Sequence, residues 1–384
     1  MLKMKILSVF GTRPEAVKMA LVVKLLKETA GVDSRVCVTA QHRQMLDQVL
    51  DLFNITPDYD LNLMRENQSL AELSASIFTN LEPVLIDFKP DWVLAQGDTT
   101  TVAITSLLCY YHKIKFGHVE AGLRTHDKWQ PFPEEINRRI AGAVADLHFA
   151  PTEWSKGNLL KEGVDEKIIR VTGNTVIDAL QFVSKQKEPD EITELITRLL
   201  PFDRLRTSRR KEHPPRNDRL ILVTAHRREN FGEGMENICK ALLELSKEKN
   251  IQIVYPVHLN PNVQEPVNRL LKNVENITLL PPLDYLPLVH LMKHATLILT
   301  DSGGIQEEAP AFGVPTLVLR EVTERPEGVA AGTVKLVGTE SARIVKEAKR
   351  LLENESEYQK MSKAANPYGD GHAAEKIVQT LLNN

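Results

Sequence analysis

The sequence predicts an α/β protein built from two doubly wound domains. Short apolar runs bounded by Gly, Asp or Pro alternate with longer stretches of helical spacing, a pattern typical of parallel strands joined by crossover helices. The alternation occurs in two series, and 384 residues exceed what one ordinary core accommodates. We therefore expect two parallel sheets, each holding ligands at the carboxyl ends of its strands.

Each predicted strand is a short apolar run, and the runs fall into two groups along the chain. The first group comprises residues 6–10, 34–39, 92–95, 115–118 and 147–150. The second comprises residues 168–171, 220–224, 251–256, 277–280, 297–300 and 316–319. The domain boundary is predicted near residues 172–174, which gives domains 1–172 and 173–365. A turn at 366–371 then precedes a last helix at 372–382.

Composition predicts a cytoplasmic globular protein. The hydrophobic content of 42% is ordinary for such a protein, and a net charge of −3 argues against a nucleic-acid surface. The three cysteines are isolated and lack metal-site spacing, so we expect buried thiols and no metal. Residues 5–10 are too short for a signal-peptide core, and no apolar run reaches membrane-spanning length.

Residues 204–219 form a basic stretch that contains a Pro-Pro pair. Contact with an anionic partner is one interpretation of this stretch. Its lack of apolar spacing favours a solvated surface loop.

The stretch 297–308, LILTDSGGIQEE, predicts an anion-binding turn between a strand and a helix. Glycines let backbone N–H groups converge on an anion, and a helix N-terminus adds partial positive charge. These features indicate Ser302, Gly303 and Gly304 as diphosphate contacts. Glu308, about one turn into the helix, is in reach of a ribose hydroxyl pair. An ordinary strand–helix connection is the alternative interpretation.

Cations follow several of the predicted strands. Arg13 and Lys18 come after strand 6–10, where a single glycine does not make a dinucleotide fingerprint. The alternative there is a helix first turn with exposed cations. His226 follows strand 220–224 and precedes two arginines, an arrangement that suits an anionic ligand. His258 and Arg325 follow later strands of the same series.

Three acids also follow strands or open helices of the first series. Asp98 comes after strand 92–95, and a helix N-cap is its alternative role. Glu120 comes after strand 115–118, where neither extending a strand nor capping a helix explains a carboxylate. Glu134 opens a helix, where an acid is favoured in any case. Three acids in one cleft would be costly unless they are used or paired.

Taken together, these motifs resemble the bacterial non-hydrolysing UDP-N-acetylglucosamine 2-epimerases. The resemblance is carried, over essentially the whole chain, by residues 11–18, 97–101, 118–124, 133–138, 225–230, 301–308 and 323–327. It implies a glycosyltransferase-B-like fold with a cleft between two Rossmann-like domains and a last helix that returns to the N-terminal domain. It also implies a homodimer, no cofactor, and a supply of activated N-acetylmannosamine for cell-surface polysaccharide.

The resemblance assigns roles to residues by position. It implies catalytic roles for Asp98, Glu120, Glu134 and His226. It implies UDP-binding roles for Arg13, Lys18, Ser302, Gly303, Gly304, Glu308 and Arg325, with Leu283 and Leu288 standing where some members carry Gln and Phe near the uracil.

Some members bind a second UDP-N-acetylglucosamine next to the catalytic one. Residues matching that regulatory set are Gln41, His42, Gln44, Arg227 and His258. This chain departs from the set at Asn67, where such members carry an arginine, although Arg65 stands two residues earlier. Because a guanidinium is a strong diphosphate ligand, we expect allosteric activation in a weakened form.

Two chemical routes to C2 inversion are open to a nucleotide sugar. Transient oxidation of a neighbouring hydroxyl needs a nicotinamide, for which the sequence carries no fingerprint. Elimination of UDP to 2-acetamidoglucal, followed by re-addition, needs proton-transfer acids and fixed positive groups, and the sequence offers both. The alternatives are a retaining UDP-sugar glycosyltransferase of the same fold, a nucleotide-sugar sensor and a hydrolysing epimerase.

Overall fold

The computed structural model describes residues 3–39, 43–63, 65, 68–200, 219–248 and 250–384. The chain divides into two compact units. Unit 1 comprises residues 1–181 and 368–384, and unit 2 comprises residues 182–367. The basic stretch at 204–219 lies outside the described residues except for Arg219, and so do Gln41, His42, Asn67 and the side chain of Gln44.

Unit 1 contains a parallel sheet of seven strands in the order β3-β2-β1-β4-β5-β6-β7. The strands are β1 Met4–Phe10, β2 Val32–Val38, β3 Tyr59–Asp60, β4 Trp92–Gln96, β5 Lys115–Val119, β6 Leu147–Ala150 and β7 Ile169–Val171. The helices are α1 Arg13–Glu28, α2 Arg43–Phe53, α3 Leu70–Phe88, α4 Thr100–His112, α5 Glu134–Val144, α6 Glu153–Lys161 and α7 Thr175–Val183, which crosses into unit 2.

The hydrophobic core of unit 1 explains why these segments form these elements. Alternate residues of β1, such as Leu7 and Val9, pack with buried side chains of α3, α4 and α5. Helix α1 begins at a capping box, in which the side chain of Thr12 accepts from the backbone of Glu15 and the Glu15 side chain accepts in return. The strand order reverses between β1 and β4, so a crevice opens at the carboxyl ends of these two strands.

Unit 2 repeats this architecture with six parallel strands in the order β10-β9-β8-β11-β12-β13. The strands are β8 Arg219–Thr224, β9 Ile251–Pro256, β10 Ile277–Leu280, β11 Leu297–Thr300, β12 Thr316–Val318 and β13 Val334–Leu336. The helices are α8 Asp190–Leu199, α9 Glu233–Leu245, α10 Pro261–Leu271, α11 Tyr285–His294, α12 Gly303–Glu308, α13 Pro326–Ala331, α14 Ser341–Glu353 and α15 Glu355–Ser362. Here the strand order reverses between β8 and β11.

The last helix, α16 Ala373–Leu382, belongs to unit 1 and packs against α1. The carboxylate of Asp178 accepts the backbone N–H groups of Ala373 and Ala374 and so caps α16 from a distant part of the chain. The backbone N–H of Asn174 donates to the carbonyl of Tyr368 at 2.7 Å. These bonds fasten the C-terminal segment to unit 1.

The predicted fold class, two doubly wound parallel α/β domains, is confirmed. The grouping of 168–171 with the second series is wrong, since β7 pairs with β6 in the first sheet. Unit 1 extends to Gln181, and its helix α7 carries the cap of α16. Among the described residues, no helix combines the length and apolar character needed to cross a membrane.

Candidate active site

The turn after β4 presents Asp98 beside an arginine. Its Oδ2 accepts from Nε of Arg138 at 2.9 Å and lies 2.6 Å from Nη2 of the same guanidinium. The backbone carbonyl of Asp98 accepts from the Asn137 side chain. The alternative in which Asp98 is the helix N-cap is wrong, because Thr99 caps α4. Asp98 is therefore held in a two-point contact with α5 while its side chain stays 26% exposed.

Glu120 lies directly after β5 in an unusual backbone conformation, with φ of +63°. Its carboxylate is nearly buried and accepts from three side chains: Lys18, Gln96 and Asn174, the last at 2.9 Å. A non-glycine residue in the left-handed region is strained, and such residues cluster at functional sites. Unit 1 thus fixes one carboxylate with an ammonium and two amides.

The turn after β1 is filled by the chain's own carboxylate. Glu15 accepts from the backbone N–H groups of Gly11 and Thr12 and, through its other oxygen, from the hydroxyl of Thr99 at 2.6 Å. Burial raises the pKa of Glu15, while these hydrogen bonds act in the opposite direction. The N–H groups that would hold a pyrophosphate in a dinucleotide-binding turn are therefore already bonded, in keeping with the single glycine of this motif.

The loop before α5 is organised around a second, buried glutamate. Glu135 accepts from the backbone N–H groups of Thr125 and His126, both at 3.1 Å, and lies 3.2 Å from Nη1 of Arg138. The predicted acid Glu134 is the neighbouring residue and opens α5. Arg138 therefore joins Asp98 to the segment that carries Glu134.

A buried histidine supports the turn that carries Asp98. Nε2 of His118 lies 2.7 Å from the carbonyl of Gly97. Burial lowers the pKa of His118 to about 4, so its imidazole is neutral at pH 7 and donates through Nε2–H. His118 lies opposite His148 in the β5–β6 register, and burial lowers the pKa of His148 to about 3.

In unit 2 the turns after β8 and β11 meet at Asp301. Its Oδ2 accepts from the backbone N–H groups of His226 and Arg227, both at 2.8 Å, and from the Asn230 side chain. The His226 ring stacks on that of His258, with ring centroids 5.2 Å apart. The predicted residues His226, Arg227 and His258 thus lie at one end of this sheet.

The glycine turn of unit 2 lies against an arginine. Gly303 begins α12, and a Cβ placed on it would lie 2.8 Å from Nη1 of Arg325. Nε of Arg325 donates to Glu307 at 2.6 Å, and its Nη1 lies 2.9 Å from Glu324. The absence of a side chain at Gly303 therefore lets the guanidinium approach the backbone at the start of α12.

Glu324 links three arginines. Burial alone would raise the pKa of Glu324, but Arg325, Arg320 and Arg227 together bring it down to about 2. The carboxylate therefore stays ionised, and Arg320 is also bonded to Glu229 at 2.5 Å. This network holds the predicted phosphate-binding arginine beside further positive charge.

The remaining predicted residues occupy separate places. Arg13 is the first residue of α1 and is partly exposed, and Glu308 is the buried last residue of α12. Leu283 precedes α11 and Leu288 lies within it, both partly exposed. Throughout the part of the chain that the structure describes, no cluster of three or more His, Cys, Asp or Glu could hold a metal ion.

Sequence reasoning missed several residues of these sites: Glu15, Gln96, Arg138, Asn174 and Asp301. Arg138 stands four residues after Glu134 on one face of α5, and this spacing is a signal that could have found it. Asn174 and Asp301 carry no comparable local signal, because each acts on a residue more than fifty positions away.

The chain has two parallel doubly wound sheets. One carries fixed carboxylates at its strand ends, and the other carries a glycine turn and arginines. These features define the class of proteins that act on nucleotide sugars with a glycosyltransferase-B-like fold. Comparison with known proteins names the family. The family model described as UDP-N-acetylglucosamine 2-epimerase matches residues 24–382, so the chain belongs to that family.

Individual relatives are similar to this chain over nearly its whole length. It is 57% identical over 381 residues to the UDP-N-acetylglucosamine 2-epimerase of Salmonella typhimurium, covering 98% of each chain. The structure of UDP-GlcNAc 2-epimerase from Neisseria meningitidis bound to UDP-GlcNAc superposes with a TM-score of 0.89, at 52% identity, covering 99% of this chain and 100% of that one. The Methanocaldococcus jannaschii UDP-GlcNAc 2-epimerase in complex with UDP-GlcNAc and UDP gives 0.79 at 32% identity, covering 99% and 100%.

Proposed function

We propose that this protein interconverts UDP-N-acetylglucosamine and UDP-N-acetylmannosamine by inverting C2 of the sugar. Family membership supports the activity. The observation that carries it is the pair of carboxylates after neighbouring strands. Asp98 follows β4 and is fixed by the Arg138 guanidinium, and Glu120 follows β5 and is fixed by an ammonium and amide donors. Fixed carboxylates of this kind serve proton transfer and stabilise developing positive charge.

The reaction proceeds by elimination and re-addition. One carboxylate takes the C2 proton while the bond between C1 and the diphosphate oxygen breaks, which gives UDP and 2-acetamidoglucal. UDP then adds back to C1, and an acid returns a proton to the opposite face of C2. Asp98, Glu120 and Glu134 share proton transfer and the stabilisation of positive charge near C1. The filled turn at Glu15 favours this route over transient oxidation, since that turn cannot also bind a dinucleotide pyrophosphate.

The proposed UDP contacts are the positive and polar residues that the family resemblance assigns to the nucleotide. Arg325 and the Ser302–Gly304 turn bind the diphosphate, Glu308 binds the ribose, and Leu283 and Leu288 lie near the uracil. Arg13, Lys18 and His226 contact the diphosphate as it leaves. The Arg325 network supports this assignment, because it keeps the guanidinium fixed without a ligand.

The protein acts as a cytoplasmic homodimer and supplies activated N-acetylmannosamine for cell-surface polysaccharide. The likeness to the family supports both statements. Light scattering on the purified protein tests the dimer, and a single-chain mass at micromolar concentration would contradict it.

Incubation with UDP-N-acetylglucosamine alone in deuterated water, followed by proton NMR, tests the activity. We expect UDP-N-acetylmannosamine to form and deuterium to enter C2 of both epimers and no other position. Retention of the original C2 hydrogen in the product would contradict elimination. Unchanged substrate indicates a sensor, a requirement for an acceptor indicates a glycosyltransferase, and free N-acetylmannosamine with released UDP indicates a hydrolysing epimerase.

A further inference from the structure

The two oxygens of the Asp301 carboxylate have different surroundings. The residue is fully buried, and its Oδ2 takes all three hydrogen bonds from His226, Arg227 and Asn230. Within the described chain, Oδ1 accepts no hydrogen bond and lies 3.7 Å from Nδ1 of His226. A buried carboxylate oxygen without a hydrogen-bond donor is costly, so this one requires an explanation.

The imidazole next to Oδ1 is held from two sides. One face of the His226 ring stacks on His258, with 13° between the ring planes. The ring of His258 is itself fixed, since its Nδ1 accepts from the backbone N–H of Asn260 at 3.1 Å. Asp301 Oδ1 faces the Nδ1 edge of the His226 ring, which is the edge opposite Nε2.

We propose that Asp301 is the positioning residue for His226. Its Oδ1 accepts the Nδ1–H of the imidazole, which sets the tautomer and directs Nε2 toward the diphosphate. This rests on the proposed function, in which His226 contacts the departing UDP. A small rotation of the ring closes the 3.7 Å separation, as catalytic hydrogen bonds commonly tighten when a ligand binds.

The carboxylate also lies where it can stabilise positive charge that develops on the imidazole during the reaction. His226 can then donate from Nε2 to a diphosphate oxygen as negative charge develops there. Arg227 adjoins His226 in the chain, and its guanidinium lies 3.6 Å from the Glu324 carboxylate. Asp301 is the acid in direct contact with the His226 backbone.

The variant Asp301→Asn distinguishes orientation of the His226 ring from a purely structural role, in which Asp301 only accepts the backbone N–H groups of the turn after β8. The amide oxygen can replace Oδ2 and keep the three donors. The amide nitrogen then replaces Oδ1 and donates to Nδ1, which forces the opposite tautomer with the proton on Nε2. A residue that only caps the turn would tolerate this change.

The experiment combines spectroscopy with kinetics on the full-length protein. Nitrogen-15 NMR of labelled histidines, recorded at a pH high enough for a neutral ring, should show His226 as the Nδ1–H tautomer in the parent and as the Nε2–H tautomer in Asp301→Asn. Asp178→Asn, which alters a buried carboxylate that also accepts two backbone N–H groups, should leave the His226 signals unchanged. We expect kcat to fall on the order of a hundredfold or more in Asp301→Asn, with UDP affinity kept within a few-fold. In an His226→Ala background the same substitution should cause little further loss.

Three outcomes would overturn the proposal. One is the Nε2–H tautomer in the parent protein, a measurement that needs no variant and no turnover. The second is a parent-like kcat in Asp301→Asn, and the third is a full additional loss in the His226→Ala background. An inactive parent would contradict the proposed function instead, and the tautomer measurement would still decide whether Asp301 orients His226.

Discussion

Nδ2 of Asn174 donates a hydrogen bond to Oε1 of Glu120 at 2.9 Å, although 54 residues separate the two in the chain. The backbone of Asn174 also donates to Tyr368, in the segment that leads into α16. A second Glu120 donor, Lys18, lies on α1, the helix against which α16 packs. The C-terminal segment of unit 1 therefore supports two of the three groups that hold the catalytic candidate.

Asn174→Ala should lower kcat on the order of tenfold or more and leave UDP affinity unchanged, because it removes one fixed donor from the Glu120 carboxylate, which is proposed to act in proton transfer at the sugar. Steady-state kinetics and UDP calorimetry measure the two effects. Asn276→Ala, which removes an amide bonded to the carbonyl of Ser246, is the matched control. Equal kcat values for the two variants would show that Asn174 serves only stability.

Replacing the candidate acids by amides should separate chemistry from binding. Asp98→Asn, Glu120→Gln and Glu134→Gln should each lower kcat on the order of a hundredfold or more while UDP binding is largely kept. His226→Ala should impair both turnover and UDP binding. Asp190→Asn, at the start of α8, controls for the loss of an exposed charge. Parent-like turnover in Asp98→Asn and Glu120→Gln would make these acids structural.

Gly303→Ala should weaken UDP binding by about tenfold, or about 1.4 kcal/mol. The added Cβ would lie 2.8 Å from Arg325, whose guanidinium is fixed by Glu307 and Glu324 and cannot move without breaking those contacts. Gly157→Ala is the control, since a Cβ there meets open space within helix α6. Calorimetry with UDP measures the difference, and equal affinities would contradict a role for the close approach at Gly303.

The predicted regulatory set leads to a test of activation. UDP-N-acetylmannosamine alone should react slowly until a trace of UDP-N-acetylglucosamine is added. A second bound ligand shifts the equilibrium between two conformations of the protein by the difference in its affinity for them. Arg227 is partly exposed and 3.6 Å from Glu324, so Arg227→Gln should reduce the response, whereas Arg269→Gln on α10 should not. Reverse turnover without lag or activation would end this proposal.

The sequence predicted the elements whose signal is local. Apolar runs located most of the strands, but β3 (Tyr-Asp) and β13 (Val-Lys-Leu) were missed because neither is an uninterrupted apolar run. Strand-end residues such as Asp98 and His226 were predicted as site residues because parallel sheets bind ligands there. Their partners were missed for different reasons. Arg138 has a spacing signal, since it follows Glu134 by one turn of α5, whereas Asp301 lies 75 positions from His226 and only the folded packing brings the two together.

The buried pair His118 and His148 should make the protein sensitive to acid. Burial lowers the pKa of His118 to about 4 and that of His148 to about 3, whereas an unfolded histidine titrates near about 6.5. The unfolded state therefore binds more protons below that pH, and each residue should lower the free energy of unfolding by up to about 1.4 kcal/mol per pH unit as the pH falls from 6.5 toward 4.

Among the described residues, the two ring nitrogens of His148 have no hydrogen-bond partner, so His148→Leu removes no hydrogen bond and should reduce the dependence of stability on pH. Urea unfolding at pH 7, 6, 5 and 4.5 measures it, with exposed His372→Gln as control. Parallel stability curves for the parent and His148→Leu over that range would show that His148 is already protonated in the folded protein.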